Sequence, residues 1–311
     1  MPKALVMSID LMFIALAVLL LAALAVFITM IKKEKSKKNG LEKDDEIVTT
    51  IPVEGVSPIV LPDHHGITIG NAQHIGARET QQDSFGISNN DEAVVAHSGL
   101  LAVVADGMGG LSNGAVFSKA AVQGALRSFQ NEPPEKNDGA TLLRVLKRAR
   151  EAVAETNLDD GGTTFVAVLI RNQELHFISV GDSRISLMRN GGIIQLNREH
   201  VYGRELDDLA VNGVLSENEA EHDRQRAALT SYIGKMGELA IDRNINPIPL
   251  YSGDKVILSS DGVDEKFISE AELTALLRKE PMEAAEAVKD ALIAKNNPKQ
   301  DNLTLIVLGI N

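Results

Sequence analysis

Four acidic residues of this chain stand at the ends of apolar runs. LLAVVAD ends in Asp106, LHFISVGD in Asp182 and KVILSSD in Asp261, while Asp301 and Asn302 directly precede LTLIVLGI. A buried strand that feeds a carboxylate into a loop is how a rigid scaffold presents a metal ligand or an acid/base group. Aspartate is also common in turns, and that reading suits any one of these positions taken singly. Four in the same setting favour a shared site. Asp106 also opens DGMGG, where Gly107, Gly109 and Gly110 remove side-chain bulk and let backbone carbonyls approach an ion or a phosphate. Upstream, Arg78 lies five residues before Asp83 in RETQQD. An extended or turn conformation there lets the guanidinium reach a phosphate while Asp83 reaches a metal in the same cleft, and the alternative is a surface ion pair.

Composition narrows the chemistry. Cysteine is absent, so there is no disulfide, thiol nucleophile, zinc-thiolate site or iron-sulfur cluster. Any metal must be held by oxygen or imidazole, which with only 7 His favours a hard cation such as magnesium or manganese. The 31 Lys and Arg against 43 Asp and Glu leave a net charge of -12, which excludes a nucleic-acid backbone binder. DGMGG is not a phosphate-cradling Walker A loop, because no Gly-Lys-Ser/Thr follows it.

The elements that must position these residues alternate in type. Apolar β-rich runs fall at 67–72, 100–105, 163–170, 174–180, 184–188, 255–259 and 303–308. Helical patterns fall at 112–129, 140–156, 216–224, 269–279 and 281–295. Strands grouped with few crossover helices between them predict antiparallel sheets covered by helices. Residues 67–311 read as one domain.

Ahead of that domain, residues 11–31 are apolar and carry no charge. As a helix they span about 31 Å, which matches a bilayer core of about 30 Å. A cleaved signal peptide or a core helix is the alternative, but the run is long and only Lys3 precedes it, which favours a membrane anchor after a short segment at 1–10. Lys32, Lys33, Lys35, Lys37 and Lys38 follow at once, which predicts a cytoplasmic location for everything downstream and contact with anionic lipid headgroups. Residues 32–66 read as a tether.

Taken together, RETQQD, DGMGG, the Gly162–Thr163 start followed by Thr164, GDSR at 181–184, LNREH at 196–200, SSDG at 259–262 and Asp301-Asn302 resemble the metal-dependent Ser/Thr phosphatases of the PPM/PP2C family, bacterial subtype. The resemblance covers nearly all of 67–311. It implies an α+β fold, a four-layer α-β-β-α sandwich with two central antiparallel sheets. It further implies two Mn2+ or Mg2+ ions, with Asp106 bridging both, the Gly107 carbonyl on the second, Asp261 and Asp301 on the first, and Asp83 in contact through water. Asp182 corresponds to a ligand of a third ion, Arg78 to the phosphate-binding group, and about 202–228 to a variable flap that shapes substrate access. Gln82 stands where eukaryotic members have a metal-linked Glu, Met108 where they have a general-acid His, and Glu265 where an Asp is common.

The activity implied is hydrolysis of phosphoserine and phosphothreonine in proteins, substrates of a bacterial Ser/Thr kinase, at the cytoplasmic face of a membrane. Two other readings compete. One is a catalytically weak phosphoprotein-binding regulator on the same fold, and the other is a hydrolase of small phosphometabolites or of a single regulatory partner.

Overall fold

The computed structural model describes residues 49–50, 66–88, 95, 97–109, 113–263 and 267–311. The first half holds β1 (Thr49–Thr50), β2 (Ile67–His74), β3 (Asp83–Ile87), β4 (Leu100–Met108), α1 (Asn113–Asn131) and α2 (Asp138–Ala154). Then come β5 (Gly162–Thr163), β6 (Phe165–Arg171), β7 (Glu174–Val180), β8 (Arg184–Arg189) and β9 (Gly192–Gln195). The rest comprises α3 (Tyr202–Val211), α4 (Glu217–Glu221), β10 (Asp242–Arg243), β11 (Ile248–Pro249), β12 (Lys255–Ser259), α5 (Glu270–Leu277), α6 (Pro281–Ala294) and β13 (Leu303–Ile310).

A strand that is apolar at every position must be covered on both faces, and β4 shows how the chain does this. Leu100, Ala102 and Val104 face one core while Leu101, Val103 and Ala105 face another, the period-two alternation of a pleated strand. The first of these cores lies between two antiparallel sheets, one ordered β1-β3-β4-β6-β7-β10 and the other β2-β13-β12-β8-β9. The second packs the outer face of the first sheet on α1 and α2, through Phe117, Leu126, Leu142 and Leu146. A third packs Leu305 and Val307 of the second sheet on Leu277 of α5 and on Ala285 and Val288 of α6. The expected α-β-β-α layering is therefore present.

Local chemistry sets the helix boundaries. The Asn137 side chain accepts from the Ala140 amide to start α2, Ser269 does the same for Glu272 at α5, and Pro281 opens α6 where its missing N–H is not needed. α6 lies so close on β2 that a Cβ at Gly70 would sit 2.0 Å from the Pro281 carbonyl oxygen, so only glycine fits there.

Besides α3 and the short strands β9, β10 and β11, for which the sequence pattern predicts no element, the elements depart from expectation in four places. β3 carries no apolar run long enough to announce it, yet all five of its residues are buried, and Asp83 opens the strand. β4 continues past Asp106 to Met108, because β5 pairs with Gly107 and Met108 where β3 has ended. The run at 163–170 is divided at Thr164 into β5 and β6. Thr49 and Thr50, within the expected tether, pair with Phe85 and Gly86 at the edge of the first sheet, and the compact unit runs from Ile47 to Asn311. The apolar run at 11–31, residues 32–48 and 51–65 of the tether and Glu265 lie outside the described residues, among which no helix is long and apolar enough to cross a membrane.

Candidate active site

The core between the sheets turns polar at one end. Asp106 shares the parity of Ala102 and Val104, and Asp83 that of Phe85 and Ile87, so both carboxylates enter the inter-sheet gap. They are also direct register partners across β3 and β4. Asp261 follows β12 by two residues and Asp301 precedes β13 by two, which brings the second sheet's acids to the same end. Asp182 follows β7 by two residues.

Asp106 is held through its backbone. Its amide donates to Thr164 Oγ1 at 2.9 Å, and its carbonyl accepts from the Thr164 amide at 2.8 Å and from Thr163 Oγ1 at 2.9 Å. Thr164 Oγ1 also lies 2.7 Å from Ser183 Oγ, so the two threonines connect Asp106 to the turn that carries Asp182. Gly107 cannot carry a side chain, because a Cβ would lie 2.0 Å from the Gly114 carbonyl at the start of α1. Its amide donates to the Gln82 carbonyl at 3.1 Å, and the Gln82 side chain donates to the Gly109 carbonyl at 3.4 Å.

Asp83 is fully buried. Its Oδ2 accepts from Ser260 Oγ and from Thr304 Oγ1, each at 2.8 Å, while Oδ1 is buried with no partner. Arg78 forms an ion pair with Asp301 Oδ2, and Asp301 Oδ1 accepts from the Asn302 amide at 2.8 Å. The loop carrying Arg78 is organised by Asn302. Its Oδ1 accepts from the Gln82 amide at 2.7 Å, and its Nδ2 donates to the carbonyls of Ile75 at 2.8 Å and Thr80 at 3.1 Å.

Charge crowding follows from this placement. Burial pushes Asp83 up to about 7, with Asp261 and Asp301 adding to the shift and the Thr304 and Ser260 hydroxyls opposing it. Asp106 is raised well above the usual carboxylate range, first by burial and then by Asp83, Asp261, Asp182 and Asp301. Asp182 is pushed up to about 7 by burial and next by Asp261. All five aspartates are thus coupled electrostatically at one end of the sandwich. As the side chains stand, no three His, Asp or Glu residues among those described are gathered tightly enough to hold an ion. The reasons are visible: Arg78 takes up Asp301, and two hydroxyls take up one oxygen of Asp83.

The donor chemistry nevertheless fits divalent cations. It is all oxygen, its carboxylates repel one another without a counter-charge, and the buried Asp83 Oδ1 has no partner.

The region expected as a flap begins and ends at one bridge, Val201 with Leu229. His200 fixes its base: Nδ1 accepts from the Gly181 amide at 3.1 Å, and the His200 amide donates to the Gly181 carbonyl at 2.8 Å, beside Asp182. α3 and α4 lie within this region and are tied by Arg226, which contacts Asp207 at 2.8 Å and the Ala220 carbonyl at 3.1 Å.

Residues 71–301 match the family model described as protein phosphatase 2C. The chain belongs to this family. The phosphatase PstP of Mycobacterium tuberculosis is 29% identical over 232 residues, which cover 72% of this chain and 42% of that one. The alignment therefore spans less than half of that relative. A serine/threonine phosphatase structure from S. agalactiae superposes with a TM-score of 0.66 at 25% identity, covering 79% of this chain and all of that one. A PstP catalytic domain solved with two manganese ions has the same fold, with a TM-score of 0.59 at 23% identity over 78% of this chain and 98% of that one.

Sequence reasoning singled out Arg78, Asp83, Asp106, Gly107, Asp182, Asp261 and Asp301, and all lie at this end of the molecule. It gave no role to Gln73, Ser260, Asn302 or Thr304, which hold those residues in place. Strand parity carries the signal for three of them, since Gln73, Ser260 and Thr304 each continue an inward-facing apolar row.

Proposed function

We propose that this chain is a cation-dependent protein phosphatase that hydrolyses phosphoserine and phosphothreonine in proteins, substrates of a bacterial Ser/Thr kinase, at the cytoplasmic face of a membrane. The observation that carries the reading is the coupling of five aspartates from both sheets at one end of the sandwich. Family membership and the manganese in a relative of the same fold support it. The apolar run at 11–31 and the lysines after it support the membrane location.

Phosphomonoester hydrolysis is among the slowest uncatalysed reactions, and a phosphate dianion repels its nucleophile, so catalysis rests on positioning and charge neutralisation. Asp106, the Gly107 carbonyl, Asp261 and Asp301 would hold two Mn2+ or Mg2+ ions, and Asp182 a third, and the bound cations would supply that counter-charge and acidify water. Arg78, whose side chain is 57% exposed, reaches solvent to bind the phosphate. Asp83, whose buried Oδ1 has no partner, would hold the attacking water in place. Met108 cannot donate a proton to the leaving oxygen, so water or another group does.

Hydrolysis of p-nitrophenyl phosphate by the full chain, measured with manganese and with a chelator, tests the enzyme reading. Manganese-dependent turnover is expected, and phosphate-peptide binding without turnover would favour the regulator reading instead. Faster turnover of small phosphometabolites than of phosphopeptides would overturn the substrate class. Recovery of the full chain in the soluble fraction of cells would overturn the membrane location.

A further inference from the structure

Asp83 is reached by a chain of hydrogen bonds whose direction is fixed. Gln73 Nε2 donates to Thr304 Oγ1 at 3.0 Å, and Thr304 Oγ1 lies 2.8 Å from Asp83 Oδ2. The Thr304 amide donates to Ser260 Oγ at 2.9 Å, and Ser260 Oγ also lies 2.8 Å from Asp83 Oδ2. The Gln73 amide orientation follows from its second partner, the Asp83 main-chain carbonyl at 3.3 Å, which can only accept. Each hydroxyl therefore receives a donor and directs its single proton to Asp83 Oδ2. That oxygen is saturated, and Oδ1 is left without a partner.

The same bonds join the two sheets. Asp83 belongs to the first sheet and is the register partner of Asp106. Gln73 and Thr304 belong to the second sheet, on β2 and β13, and Ser260 follows β12 immediately ahead of Asp261. Apolar contacts between the sheets are non-directional and tolerate small sliding, whereas paired hydroxyls on one carboxylate oxygen do not.

We propose that Gln73, Thr304 and Ser260 form a directional relay of positioning residues. It turns Asp83 so that Oδ1 faces the site, and it holds the acids of the first sheet in register with those of the second for cation binding. This inference rests on the reading of the site as a divalent-cation centre.

The test is calorimetric titration of manganese into the full chain, with thermal unfolding of each variant as the control for folding. Gln73→Glu keeps the shape but replaces the donor by an acceptor, so the Thr304 proton turns toward residue 73 and away from Asp83. An added carboxylate acting only through its charge would tighten cation binding. The relay requires the opposite, a loss of manganese affinity of roughly tenfold to a hundredfold, the usual effect of removing a ligand's supporting hydrogen bond. Thr304→Val should show the same loss and Thr304→Ser should retain wild-type affinity, which keeps the test decisive should Gln73→Glu fail to fold. Unchanged or tighter binding in folded Gln73→Glu, or in folded Thr304→Val, overturns the relay. Absence of manganese binding by the wild type overturns the cation-centre reading itself, an outcome distinguishable from the first.

Discussion

Asp83 and Asp106 lie directly opposite one another on adjacent antiparallel strands, with both side chains turned into the gap between the sheets. Like-charged groups so placed are normally destabilising. Their arrangement therefore states the condition under which the site is at ease: protonated, or neutralised by cations.

That condition has a measurable sign. Asp83 and Asp182 are raised from 3.8 to about 7, so in the metal-free protein the folded state holds protons that the unfolded chain has released between about pH 4 and pH 7. The native state binds more protons in that window, so these groups make stability fall as pH rises through it. Thermal unfolding in a chelator should give a lower midpoint at pH 7.5 than at pH 5.5, and manganese should reverse the order. A midpoint that climbs steadily with pH in the chelator would count against the charge crowding.

Asp106→Asn removes one carboxylate from the crowd and, under the proposed function, the central ligand with it. Phosphatase activity and manganese binding should be lost, while the metal-free midpoint at pH 7.5 rises by roughly 2–4 °C, the shift that about 1 kcal/mol produces in a domain of this size. Turnover near the wild-type rate by a folded variant would defeat the assignment.

Arg78→Ala should raise KM for a phosphopeptide by roughly tenfold or more, since a hydrogen bond to a charged group contributes about 1.5–3 kcal/mol. Its ion pair with Asp301 is exposed, with 57% and 35% of the two side chains accessible, so the unfolding midpoint should barely move. A KM equal to wild type would remove Arg78 from phosphate binding.

Gly107→Ala tests the close approach of β4 to α1. The new methyl would meet the Gly114 carbonyl at 2.0 Å, and overpacking of this kind costs about 1–3 kcal/mol. Loss of stability together with weakened manganese binding is expected, because the displaced backbone also carries the Asp106 peptide. Wild-type values for both would show that the loop gives way freely.

Much of this was readable in the amino acids. β7 and β12 match their apolar runs residue for residue, because each is buried along all but its first residue and its run is bounded by turn residues. β3 was not readable: Asp83, Ser84 and Gly86 make a weak strand pattern, and pairing with β4 confers its conformation. The acids were found because each adjoins an apolar run. Asn302 was recognised as part of a motif but not as the residue that organises the loop, since the carbonyls of Ile75 and Thr80 meet its amide only in three dimensions. Parity marked Ser260 and Thr304 as inward-facing, yet only the packing of one sheet on the other shows that both end on Asp83.

The bridge between Val201 and Leu229 draws both ends of residues 202–228 to one point on the sandwich. A segment that departs and returns at a single place can be lengthened, shortened or exchanged while the strands beneath it keep their pairing. Under the proposed function, substrate access and cleavage then reside on separate stretches of chain, so the one can change while the other is kept.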